Sequence, residues 1–121
     1  MRDYKKIKAY ELADKLVMGV YGVTSCFPKE ENYGLTSQIR RAVVSVATNI
    51  VEGASRQHKK DYLNFLFISR SSLAEVEYLI DLSEKLKYLD HEEYVHLKKL
   101  KEETVKTLFG LIKAVKNETE I

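Results

Sequence analysis

Five side chains able to hydrogen-bond or pair as ions, Gln38, Arg41, Ser45, Asn49 and Glu52, recur every three or four residues along one segment. At about 100° per residue they share a helix sector of roughly 80°, bordering the apolar sector of Leu35, Ile39, Ala42, Val43, Val46 and Ile50. Two amides, a hydroxyl, one guanidinium and one carboxylate are the components of an interior hydrogen-bonded network, whereas a solvated face is usually richer in Lys and Glu. A water-facing file is the commoner outcome for an arbitrary helix. Here the file adjoins the apolar sector, and a bundle edge or subunit contact would cover such a border. The expected partners are Ser72 and Glu75 in the stretch SSLAEVE, with Arg41 paired to Glu75.

These residues make a poor catalytic set. Ser45 lies four residues before Asn49, but no histidine in the segment can act as its base. His91 and His96 are five residues apart, so about 140° separates them on a helix and no single face presents both to a metal. Glu92 and His96 do share a face, yet one pair falls short of the three or four ligands of a zinc site. There is no glycine-rich phosphate loop, nucleophile elbow or paired-cysteine motif. The expectation is a protein that is not an enzyme and uses neither metal nor cofactor; a hydrolase would need a site assembled between copies of the chain.

Phosphate attraction needs clustered cations. Lys5, Lys6 and Lys8 stand near the amino terminus, Arg56, Lys59 and Lys60 surround a turn, and Lys98, Lys99 and Lys101 fall on a later helix. Such clusters are most often solvated faces. Lys59 and Lys60, however, open a helix, where the dipole mildly disfavours positive charge, so a role other than helix stability is expected of them. The net charge is +2, with 11 Lys and Arg against 6 acids in residues 1–60 and 9 against 12 in residues 61–121. That asymmetry permits RNA or DNA contact without demanding it.

A length of 121 residues suits one domain, and a composition with one proline, five glycines and no tryptophan is that of an all-α protein. The apolar periodicity predicts helices over about 7–27, 35–52, 58–87 and 91–117. In the first, Leu12, Leu16, Val20, Val23 and Phe27 form one stripe, ended by Pro28. The second is expected to stop where Gly53 takes a left-handed torsion. The third should turn Tyr62, Phe65, Leu66, Leu73, Val76, Leu79, Ile80 and Leu86 inward. Asp90 with Glu93 reads as an acidic capping box opening the fourth, which continues through Leu97, Thr104, Val105, Leu108, Ile112 and Val115. Short connections favour an antiparallel, up-down-up-down four-helix bundle. Val44 and Val51 lie off the main apolar face; with Tyr10, Tyr21 and Phe67 they suggest a second apolar surface for self-association. Cys26, the sole cysteine, is expected to be a buried free thiol, and the cytoplasm the compartment. Neither a secretory leader nor a spanning helix is expected.

The ordered set FP, E and YGL, then Q-x-RRA, S-x-x-x-NI-x-EG-x-x-R, and FL-x-I with SL-x-E-x-E resembles the family of bacterial four-helix bundle proteins encoded within intervening sequences of 23S rRNA. The resemblance spans residues 9–86. It implies a ring, generally a homopentamer, without established enzymatic activity. More remotely, the chain is similar to accessory proteins of diversity-generating retroelements, which share the ring and work with RNA and a reverse transcriptase. The family's characteristic residues fall on Tyr33, Gly34, Leu35, Gln38, Arg40, Arg41, Ser45, Asn49, Glu52, Gly53, Arg56, Phe65, Ser72 and Glu75. His58 replaces a common capping serine, which weakens the expected cap of the third helix, and Ser71 replaces a common glycine. The reading that follows is an oligomeric bundle binding structured RNA or a ribonucleoprotein through a repeated basic surface. The alternative is a protein-interaction scaffold with no nucleic-acid role.

Overall fold

In the computed structural model, which describes residues 2–119, four helices follow one another: α1 (Lys8–Thr24), α2 (Leu35–Ala54), α3 (Lys59–Lys85) and α4 (His91–Lys116). Each packs against its neighbour in sequence, and α4 closes the bundle against α1, as an up-down-up-down topology requires. Leu12, Leu16 and Val20 of α1, Ile39, Val43, Val46 and Ile50 of α2, Leu66, Leu73 and Ile80 of α3, and Leu97 and Leu108 of α4 fill the centre. Burying each of these side chains contributes about 1.5–3 kcal/mol.

The helix ends have local causes. α1 stops at Thr24, earlier than its apolar stripe, because the next amides, Cys26 and Phe27, bond to carbonyls only three residues back. Thr24 and Phe27 take the inward positions of this turn, so Cys26 is exposed, contrary to the expected burial. The start of α2 is held by Glu31, whose Oε1 accepts the Leu35 amide at 3.1 Å. α4 opens on the expected capping box: the Glu93 amide donates to Asp90 Oδ1 at 2.7 Å, and the Asp90 amide to Glu93 Oε1 at 2.9 Å.

Gly53 does not end α2 with a left-handed torsion. The helix runs through it to Ala54, and no glycine among the described residues has positive φ. The glycine is required by proximity: an added Cβ would lie 2.9 Å from Tyr62 Cδ1 and 3.0 Å from Phe65 Cβ. Between α3 and α4 the left-handed position is taken by Lys87, at φ 63°. Two residues expected inside lie outside: Leu86 follows the end of α3, and Val105 flanks the buried row of α4 beside exposed Phe109. Phe65 and Val23 are half-buried. No helix among the described residues is long and apolar enough to cross a membrane.

Candidate nucleic-acid interface

The polar file of α2 divides in two. Ser45 and Asn49 are half-buried on the edge facing α3, where Ser45 Oγ and Ser72 Oγ share a hydrogen bond of 2.8 Å. Asn49 Nδ2 donates to Ser45 Oγ at 3.0 Å and to the Ser45 carbonyl at 2.8 Å. Deeper in the same contact, buried Ser69 donates to the Val46 carbonyl at 2.8 Å. Gln38, Arg41, Glu52 and Glu75 are exposed within the single chain, so the expected burial fails for them at this level. For Arg41 and Glu52 the reason is angular: at about 100° per residue they lie roughly 150° and 130° from the middle of the apolar face. The expected Arg41–Glu75 pair is absent; Gln38 Nε2 reaches Glu75 instead, at 3.4 Å. Val44 and Val51 are half-buried on the opposite flank of α2.

The cations behave differently. Antiparallel packing brings the starts of α1 and α3 to the end of the bundle where α2 and α4 finish. Lys5, Lys6 and Lys8 therefore share an end with Arg56, Lys59 and Lys60, and Lys113 and Lys116 close α4 there. Lys5, Lys6, Lys8, Arg56 and Lys60 are exposed, and Lys59 is half-buried. The polypeptide is tied together at this end by Arg2, a residue sequence reasoning passed over. Its guanidinium lies 4.2 Å from the centroid of the Tyr62 ring, Nη1 donates to the Arg56 carbonyl at 2.9 Å, and Nη2 lies 3.5 Å from Glu118 Oε2. Lys59 Nζ donates to the Glu118 carbonyl at 2.9 Å. Burial pushes the Tyr62 phenol above its ordinary pKa, against the opposing pull of Arg2.

The Arg56 guanidinium lies 4.6 Å from the centroid of Phe65, one turn along α3 from Tyr62. Two arginines are thus laid over two rings of one helix. Between them opens a cleft of about 680 Å³ lined by Arg2, Ser55, Arg56 and Gln57. A second hollow, of about 350 Å³, is lined by Lys59, Lys60, Leu63, Asn64 and Phe67. Phe67 has Arg70 at 5.0 Å and Lys116 at 5.5 Å from its centroid. An arginine whose face rests on a ring keeps its N–H edge for phosphate oxygens.

The third basic cluster is not part of this surface. Lys98 and Lys101 turn onto α3, where Lys101 Nζ meets Glu77 Oε2 at 2.5 Å and Lys98 Nζ meets Asp81 Oδ1 at 3.1 Å. Tyr94 adds a 2.9 Å bond to Asp81. The Lys101 bond, opposed by burial, draws the Glu77 carboxyl below its ordinary pKa. For Asp81, desolvation is the largest influence and acts upward, but bonds from Tyr94 and Lys98 outweigh it and the shift is downward. Lys98 is raised: burial lowers it, and its bond to Asp81 more than compensates. Arg40 is also occupied, donating to Thr24 Oγ1 at 2.8 Å with Tyr21 beneath it at 4.6 Å.

The fold is that of an all-α four-helix bundle. The chain belongs to the 23S rRNA-intervening sequence protein family, which it matches over residues 5–110. It is similar in fold to the crystal structure, at 1.70 Å resolution, of a protein of unknown function from the S23 ribosomal protein family of Bacteroides thetaiotaomicron. The two share 24% sequence identity with a TM-score of 0.80, over 87% of this chain and 95% of the other. None of the curated proteins matches this chain.

Proposed function

We propose that this is a non-enzymatic, ring-forming bundle, a homopentamer in the cytoplasm, that binds structured RNA or a ribonucleoprotein through the cationic end of each subunit. One observation carries the reading: Arg2, from the amino-terminal segment, joins Arg56 of the α2–α3 turn and Lys59 of the α3 start at one end, together with Lys5, Lys6, Lys8 and Lys60. Repetition around a ring multiplies a patch of this size into a surface that binds with avidity. The opposite end sets Glu30, Glu31, Asp90, Glu92 and Glu93 against Lys29, Lys85 and Lys87, a balance less favourable to phosphate that would give RNA one way to dock. Exposed Arg41, Gln38 and Glu52 are assigned to contacts between copies, assisted by Val44 and Val51.

The experiment is affinity purification of the tagged chain from cells, with and without nuclease. The reading expects co-purified RNA, and protein partners that depart on digestion. A second reading, the protein-interaction scaffold, is favoured by exposed Val105 and Phe109 beside a hollow of about 200 Å³ that also borders Leu73 and Ala74. Partners that survive digestion, with no RNA enriched, would select it.

A further inference from the structure

We infer that the cleft between Arg2 and Arg56 is a phosphate seat, and that the Glu118 carboxylate holds the phosphate's place until RNA displaces it. The inference rests on the RNA reading above for the source of the phosphate, and on the geometry of the cleft for the seat itself.

Both guanidiniums lie over rings of α3, Arg2 tied further by its bond to the Arg56 carbonyl. Tyr62 and Phe65 present their rings one turn apart on α3, with Arg2 at 4.2 Å and Arg56 at 4.6 Å from the centroids. A guanidinium held over a ring can still donate from its N–H edge, in the best case through two parallel bonds to phosphate. Arg56 forms no ion pair and no side-chain hydrogen bond among the described residues. Arg2 commits Nη1 to the Arg56 carbonyl at 2.9 Å, while Nη2 reaches only Glu118, at 3.5 Å. The cleft, about 680 Å³, has room for a nucleotide-sized group. Gln57 adds an exposed amide at its margin; the Ser55 hydroxyl is spent on the Glu52 carbonyl at 2.7 Å.

Among the described residues, Glu118 is the carboxylate that pairs with Arg2 in this seat. It belongs to the segment beyond α4, held over the α3 start by the Lys59 bond to its carbonyl. The Arg2–Glu118 pair is long and its acid half-exposed, with side-chain exposures of 30% and 48%. Such a pair is weak and readily exchanged. A phosphate offers more acceptor oxygens to the same donors and reaches Arg56 as well, so exchange favours the phosphate. The tail thereby screens the seat from stray anions and gives way to a polyanion bound at several points.

The test has two arms. In the first, inorganic pyrophosphate is titrated into the full chain while the arginine side-chain N–H signals are followed by NMR. The signals of Arg2 and Arg56 should move saturably, those of Arg41 and Arg70 should not, and Glu118→Gln should tighten binding by roughly two- to fivefold. Silence at Arg2 and Arg56, or weaker binding by Glu118→Gln, overturns the seat. In the second arm, labelled ribosomal RNA fragments are bound at several salt concentrations. Arg56→Ala should weaken binding and lower the salt slope by about one, with Arg56→Lys intermediate. Fragments with and without a 5′-phosphate separate a terminal phosphate from an internal phosphodiester. Pyrophosphate binding without RNA binding keeps the seat and removes the RNA reading; RNA binding indifferent to Arg56→Ala does the reverse. Thermal melts of each variant confirm that the exposed substitutions leave the fold intact.

Discussion

Gly53 of α2 faces Tyr62 of α3 so closely that a methyl group at position 53 would stand 2.9 Å from the ring carbon Cδ1. Tyr62 is fully buried and carries Arg2 on its ring, so this contact sets the distance between the two helices at the end where the cations collect.

Gly53→Ala should therefore destabilise the bundle by about 1–3 kcal/mol through overpacking, although alanine is intrinsically the better helix former by about 1 kcal/mol. Gly110 provides the contrast, because a Cβ there meets nothing within 4 Å. Gly110→Ala should stabilise by about 0.5–1 kcal/mol. Urea unfolding of both variants checks the pair; the same sign for both would contradict the assignment of Gly53 to helix contact.

The α3–α4 ion cluster predicts an asymmetry. Lys101 is buried, with 9% side-chain exposure, whereas Glu77 keeps 44% and also has Lys98 at 3.5 Å. Glu77→Gln strands a buried ammonium and should cost about 1–2 kcal/mol at neutral pH, a figure already reduced for solvent screening. Lys101→Met leaves a carboxylate with water and a second cation, and should cost less than about 1 kcal/mol. Because Glu77 and Asp81 titrate lower when folded than their ordinary values, their contribution is present above the usual carboxylate range and fades as pH falls through it. The cost of Glu77→Gln should thus shrink between about pH 5 and pH 3. Lys98, raised in the fold, contributes below the ordinary lysine pKa and loses that contribution only at higher, alkaline pH. Stability curves against pH for the two variants decide it.

What the sequence made legible were the features with local causes. The stripe Leu12, Leu16, Val20 and the capping box at Asp90 need only helical geometry to be read, and both stand in the structure. Gly53 is not legible locally, because a glycine near the end of an apolar pattern signals a helix cap unless the facing helix is known. Lys98 and Lys101 looked like solvated charges because their acids lie 17 and 24 residues earlier, on a different helix. Arg2 carries no signal at all, since its partners are at positions 56, 62 and 118. Spacing placed the α2 polar file beside the core but did not separate Ser45 and Asn49, within reach of α3, from Arg41 and Glu52 further round.

The proposed assembly uses those outward residues. Arg41 is exposed and makes no ion pair among the described residues, and Val44, about one turn on, is half-buried. Light scattering at micromolar concentration should give the mass of a pentamer, and Arg41→Glu should shift the population toward smaller species. A monodisperse monomer would remove the contact between copies.

The most direct test of the account is the affinity of the intact chain for ribosomal RNA fragments at low and at physiological salt, beside the Lys59→Glu/Lys60→Glu variant. Binding should be measurable at low salt, fall steeply as salt rises, and drop severalfold in the variant as counterion release is lost. No binding at low salt, an affinity indifferent to salt, or a variant that binds like the parent would contradict a cationic end built to receive RNA.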